Sequence, residues 1–295
     1  MIDKIIRASA AQFWRISFRN MRNRNRLYMG EHGIRSITFH DIPESRLNDF
    51  KRIIDWCRNN YRIARPSDAE RMLDGKLTHR ATEDSILITF DDGHADNHRT
   101  AEWLHKIGIE ATFFIVPSFV DRSNKQYLNY HHSRGIFAHS LQSTETSTES
   151  QGLSRTQISE MLAMGHHIAA HNYAHRDLGQ LSTMEDLDYE ILNSIKSVES
   201  FTGRPCKDFA IGFGQPDNLS DSTIEYLSDK DCRVYMCFRG LNTPGISPRY
   251  FLRHGFVHNH PFAFTTLCLQ TGADHKMYNR QQSLASRIGV MPEYI

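Results

Sequence analysis

Short apolar or β-branched runs recur along this chain, and segments with helical apolar spacing lie between them, a pattern that predicts strands alternating with helices. Ile34–Phe39 reads as the first strand, Tyr61–Ala64 as a short second and Ile86–Thr89 as a buried third. Ile109–Val116 has the clearest strand pattern, and Pro117 closes it. Ile168–Ala170, Phe209–Gly212, Val234–Phe238 and Tyr250–Phe256 complete the strand set. Between them, Phe50, Ile53, Ile54, Trp56 and Cys57 are spaced as on a helix, and His98–Ile107 suggests another. Ser154–Met164 begins with Ser154 followed three residues later by Gln157, the signature of a capped helix start. Leu187, Ile191, Ile195 and Val198 form an apolar stripe through Met184–Phe201, which Gly203-Arg204-Pro205 ends, and Ile224–Leu227 extends a further helix.

Other stretches lack such a pattern. Residues 66–84, entered through Pro66-Ser67-Asp68, read as a polar surface helix and loop. An insertion at 118–153 ends in LQSTETSTESQG, which has no apolar period and is expected to be mobile. Its aromatic first half, YLNYHH, serves either as a lid over a substrate or as packing beside the core. The tail 261–295 begins with the apolar FAFTTLCL and then turns polar. Residues 1–33 carry Lys4, Arg7, Arg15, Arg19, Arg22, Arg24 and Arg26 against Asp3 and Glu31, with apolar residues interspersed. Such a basic amphipathic segment either touches an anionic membrane surface or packs with solvated arginines.

Composition changes this picture only modestly. A chain of 295 residues accommodates one large barrel-sized domain with decorations. Thirty-five Lys and Arg against 34 Asp and Glu give a formal charge of +1, which offers no argument for a nucleic-acid partner. The cysteines at 57, 206, 232, 237 and 268 form no C-x-x-C pair and read as reduced thiols of a cytoplasmic protein. No signal peptide and no bilayer-spanning run is legible.

The candidate chemistry sits where strands end. Asp91 and Asp92 follow the Ile86–Thr89 strand, and Gly93 stops it at once. Adjacent carboxylates repel, so a cation or a proton-transfer task must offset their cost, unless the pair merely caps a turn. His171 and His175 follow the Ile168–Ala170 strand four residues apart, and a helix beginning at His171 would bring both imidazoles to one face. One Asp with two His is a three-ligand set with an open coordination position. His40 and Asp41 end the first strand and either line the site or form a surface turn. The glycines around Phe213-Gly214 would let backbone N–H groups approach a substrate oxygen, or simply make a tight turn.

TFDDG at 89–93, ATFFIVPSF after it and GHHIAAHNYAHRDL around the histidines resemble the motifs of the polysaccharide deacetylases, over roughly Ser36 to Phe256. The resemblance implies a distorted, seven-stranded (β/α) barrel at 34–260 and hydrolysis of N-acetyl or similar acyl groups on an amino-sugar glycan or its precursor. It implies a metal on Asp92, His171 and His175, with Asp91 as general base. It also implies an oxyanion contact near Phe213 and Gly214 and a late histidine as general acid, for which His254 is the choice. Imidazole and carboxylate suit Zn2+ first, while Co2+, Ni2+ or Fe2+ accept the same donors. The family's third motif carries an Arg that Phe213-Gly214-Gln215-Pro216 lacks. A metal-containing glycan-binding module and an amidase acting on a non-sugar amide are the competing readings. Without a leader, the substrate is expected to be met in the cytoplasm, on a lipid or nucleotide carrier at the inner membrane surface.

Overall fold

The computed structural model of the protein describes residues 6, 7, 9, 11, 19–76, 82–141, 150–243, 250–257 and 260–288. The expected mobile tail of the insertion, 142–149, and most of residues 1–18 lie outside the described residues. The chain divides into two compact units: unit 1 holds residues 1–38, 49–87 and 237–295, and unit 2 holds 39–48 and 88–236. The fold is α/β, with the parallel strands of a (β/α) barrel, as expected. Nine strands are present among the described residues, where seven were expected.

Unit 2 contains the end of β3 (Ser85–Phe90), then β4 (Thr112–Ile115), β5 (His167–His171), β6 (Asp208–Ala210) and β7 (Arg233–Met236), each parallel to the next. Thr89 stands opposite Thr112, Phe113 opposite Ile168, Ala170 opposite Phe209 and Ala210 opposite Tyr235. All six residues of β3 and all four of β4 are buried, which is why these strands read as continuous apolar runs rather than alternating ones. Phe90 stacks on Phe113 with ring centres 4.6 Å apart. The predicted cap at Ser154 is present: its hydroxyl accepts the Gln157 N–H while the Gln157 side chain accepts the Ser154 N–H. The expected long helix runs from Met184 to Thr202, but residues Asp188–Leu192 form a π turn within it. YLNYHH belongs to the helix Asn124–His132, and its Tyr127 joins Val116, Phe119, Ala138, Leu141 and Ala174 in a hydrophobic cluster, so this half of the insertion packs as core.

Unit 1 contains β2 (Arg62–Ile63) paired with the start of β3, and β1 (Ile34–Phe39) paired with β9 (His254–Gly255). The expected strand Tyr250–Phe256 is interrupted after β8 (Tyr250–Leu252) because the two halves have different partners. Leu252 is clipped by the Asn242 side chain, which accepts its N–H at 2.7 Å and donates to its carbonyl at 2.9 Å, whereas His254 and Gly255 pair with β1. Arg253, fully buried between them, donates to the Thr38 hydroxyl. The helix Arg19–Tyr28 packs rather than standing free: Arg24 pairs with Asp84, and the Tyr28 hydroxyl donates to Asp274 at 2.9 Å. Arg22 and Arg26 of this helix remain exposed. No helix among the described residues is long and apolar enough to cross a membrane.

Two buried ionic groups make stability predictions. Arg35 and Asp274 pair at 3.0 Å with 2% and 0% of their side chains exposed. Removing one partner leaves an uncompensated buried charge, so Asp274→Ala should cost about 3–5 kcal/mol, read from denaturant unfolding. In unit 2, Asp208 accepts bonds of 2.9 Å from both His167 and Arg233. Burial alone would raise its pKa, but these two partners more than offset that and hold it below the usual carboxylate value. Its stabilising contribution is therefore present above about pH 4 and is lost as pH falls through the depressed folded value. Asp208→Asn should be destabilising at pH 7, with its difference from the parent shrinking on acidification.

Candidate metal and catalytic site

The site begins with a backbone that few residues tolerate. Asp92 has φ +72° and Gly93 φ +80°, two left-handed residues in succession immediately after β3. A Cβ at Gly93 would lie 2.9 Å from Ile115, so glycine is required there for space as well as conformation. The turn is tied down on both sides: the Asp91 N–H donates to Phe39, Val116 donates to the Asp92 carbonyl, and Leu153 donates to that of Gly93. The side chains of Asp91 and Asp92 are buried at the strand's carboxyl end, as expected.

His171 ends β5, and His175 follows in a loop rather than on a helix, with φ +50°. The expected one-face helical arrangement is thus replaced by a left-handed turn, which nonetheless brings the rings to 4.9 Å, edge to face. His171 and His175 each present Nε2 to the same oxygen, Oδ1 of Asp92, at 3.5 Å. The His171 Nδ1–H donates to the Ala210 carbonyl at 2.7 Å, which leaves Nε2 as the lone-pair nitrogen. Donor atoms of Asp92, His171 and His175 lie within 4.8 Å of one another, and Oδ1 of buried Asp92 has no hydrogen-bond partner among the described residues. A buried carboxylate oxygen facing two imidazole nitrogens at more than bonding distance is what a divalent cation would satisfy, so the donor set fits a metal.

Electrostatics agree with that fit. Burial would raise the Asp92 pKa, but the surrounding imidazoles of His171, His94, His40 and His175 hold it well below the usual range. Burial, with His171, His40 and His139 nearby, pushes His175 down to about 4 against the pull of Asp92, so its imidazole is neutral, the state in which it coordinates. His171 is the opposite case: burial would lower its pKa, but Asp92 and Asp91 together raise it.

Three supporting residues escaped the sequence reading. His94 directs Nε2 to the other Asp92 oxygen at 3.4 Å while its Nδ1 bonds the Ser150 hydroxyl at 2.9 Å. Its only sequence signal was its place directly after the glycine of DDG. Asn172 accepts the Gly212 N–H and donates to the Arg176 carbonyl, pinning the loop between the histidines. Glu190, fully buried on the π turn, accepts the Ala174 N–H at 3.0 Å and the Arg176 N–H at 3.4 Å, the two amides that flank His175. Burial lifts its pKa to about 7 against those bonds. A carboxylate on the face of the Leu187, Ile191, Ile195 stripe was the signal available for it.

The remaining expected residues are distributed as follows. His40 is half-buried at the end of β1, and its carbonyl is held by Asn97 at 2.8 Å. Phe213, φ +63°, sets its ring edge against His175 at 4.8 Å and His139 at 4.9 Å, which brings residue 139 of the insertion to the site. The Gly214 N–H donates back to Gly212 at 2.7 Å in a γ-turn, so it is occupied rather than presented to a ligand. His254 belongs to unit 1, where burial and the charges of Arg239, His260 and Arg35 push its pKa down to about 3.

Residues 78–235 match the sequence model of the family described as Polysaccharide deacetylase. The Bacillus subtilis (strain 168) protein YxkH, named as a polysaccharide deacetylase, is 29% identical over 112 residues, which is 37% of this chain and 38% of that protein. Among solved structures, IcaB from Ammonifex degensii superposes with a TM-score of 0.61 at 20% identity, covering 82% of this chain and 98% of that one. The Streptococcus pyogenes deacetylase PplD, solved with acetate, gives 0.60 at 14% identity, covering 81% and 99%. These structural likenesses speak to fold.

Because Glu190 holds the two amides around His175, its loss should loosen a ligand without removing one. Glu190→Ala is expected to weaken metal affinity about 10- to 100-fold, whereas Glu190→Gln, which keeps an acceptor oxygen, should retain most of it; titration with Zn2+ distinguishes the two.

Proposed function

The chain belongs to the polysaccharide deacetylase family, and on that footing we propose that it hydrolyses N-acetyl or similar acyl amides on an amino-sugar-containing glycan or its precursor. The observation that carries this reading is the buried Asp92, His171 and His175 donor set with a second carboxylate, Asp91, in the adjacent position. A binding module would need only the donor set, so the second buried carboxylate favours turnover. A non-sugar amidase shares this chemistry, and exposed Phe213 beside His175 favours a sugar, whose apolar ring face packs on aromatic surfaces.

Asp92, His171 and His175 would hold a divalent metal, zinc first among those the donors suit, and the chemistry it would supply there is Lewis-acid polarisation of the amide carbonyl and acidification of water. Asp91 takes the proton of the attacking water as general base. The Phe213 N–H, rather than that of Gly214, is the backbone donor assigned to the developing oxyanion. When the C–N bond breaks, the nitrogen needs one proton, and protonated Asp91 carries one. His254 is left out of this path because an imidazole with a pKa of about 3 is neutral at pH 7 and is a poor proton donor. Acetate and a free amino sugar are the products. All five cysteines are free thiols, which supports a reducing, cytoplasmic setting where a lipid- or nucleotide-linked precursor is the substrate at hand.

Acetate release from N-acetylated oligosaccharides should be abolished by chelator and restored by Zn2+; release that is indifferent to the chelator would refute the metal's part. His175→Ala should lose both metal and activity. Asp91→Asn should keep stoichiometric metal, measured by elemental analysis, while kcat falls about 10²- to 10⁴-fold.

A further inference from the structure

We propose that unit 2 carries a subsite for an anionic saccharide, a cavity beside the loop that holds His171 and His175, which takes a phosphate or carboxylate group of the glycan being processed. The proposal rests on the deacetylase reading and names the kind of chain it would act on.

The cavity measures about 520 Å3, within the usual range of about 300–1,000 Å3 for small-ligand sites. Arg122, Arg134, Arg155 and Lys196 line it, and no Asp or Glu does. The guanidinium carbons of Arg122 and Arg134 lie 4.5 and 3.8 Å from the centre of one ring, that of Tyr130. Their N–H groups reach backbone carbonyls, of Ser118 and Tyr130 respectively at 2.8 Å, and neither has a carboxylate partner among the described residues. Of the nearby acids, Asp121 lies 3.5 Å from Arg155 and so already offsets part of that one charge, while Asp186 pairs with Arg176 at 2.7 Å, outside the lining. Two like charges held on one tyrosine repel each other, and an anion between them would remove that cost. The positive field is felt behind the wall, where burial together with Arg122, Arg134 and Arg176 pushes His131 down to about 4.

The same cavity supplies surfaces that suit a sugar. Tyr173 and Tyr189 line it with Tyr130, and the Tyr130 and Tyr173 hydroxyls stand 3.4 Å apart. Tyr173 also links the cavity to the chemistry, since it lies between His171 and His175 in the chain and its carbonyl accepts the Ser118 hydroxyl. Guanidinium forks match phosphate and carboxylate oxygens in pairs, so a sugar phosphate and a uronic acid present the same shape of charge.

The test uses the full metal-loaded chain. Calorimetric titration with N-acetylglucosamine 1-phosphate, with a glucuronic acid oligomer and with a neutral N-acetylated oligosaccharide separates the two anion sources. At least one anionic sugar should bind in a salt-sensitive way, and Arg134→Gln and Lys196→Gln, both at exposed positions, should each weaken it severalfold. With an acidic N-acetylated oligosaccharide the variants should raise KM at unchanged kcat, while acetate release from the neutral one stays at the parent rate. Absence of binding by either anionic sugar, or binding unchanged in both variants, would overturn the subsite. Arg134-dependent binding without acetate release from any substrate would instead overturn the deacetylase reading and leave the subsite standing.

Discussion

Asp92 is a carboxylate buried on a left-handed residue with two imidazole nitrogens facing one of its oxygens and a third facing the other. A buried charge in that position is tolerated only when its surroundings supply compensating positive charge. The rest of the site follows from this need. Asp92, His175 and Phe213 all have positive φ, a conformation that costs roughly 1–3 kcal/mol each in ordinary residues and that concentrates where function requires it. The cost is offset by the bonds around each turn: Phe39 and Val116 to the Asp91–Asp92 backbone, and Glu190 and Asn172 around His175.

Support reaches the site from elements that carry no chemistry themselves. The π turn in the helix Met184–Thr202 inserts one residue's worth of extra rotation, and this sets Glu190 beneath the loop while Ser194 donates to the His171 carbonyl. The carbonyl of Ala210 in β6 fixes the tautomer of His171. Two strands, β3 and β5, therefore deliver the candidate donors, and β6 orients one of them, in keeping with the general placement of α/β chemistry at strand carboxyl ends. The insertion contributes on two sides, packing Tyr127 into the core and sending His139 against Phe213.

Much of this was readable from the chain alone. Parallel strands buried on both faces are largely runs of apolar residues, so β3, β4 and β5 were legible, and polar residues at their ends stood out against that background. The cap at Ser154 and the apolar stripe of Met184–Phe201 were legible because both depend on residues three or four apart. The same locality fixed which residues could form a donor set, since an Asp-Asp-Gly and two histidines each followed a strand.

Tertiary structure decided whatever depended on residues distant in sequence. The interruption at Arg253 falls between Leu252, held by the Asn242 side chain, and His254, paired with β1, which no local pattern announces. The loop conformation at His175 comes from Glu190 and Asn172 rather than from helical propensity. His94 acquires its role only because Asp92 turns its second oxygen toward it, and the Gly214 N–H loses its expected role to Gly212. Sequence thus determined which residues are the candidate donors, because strand ends are local; their geometry, tautomers and charge states were set by contacts across dozens of residues, where burial and neighbouring charge act.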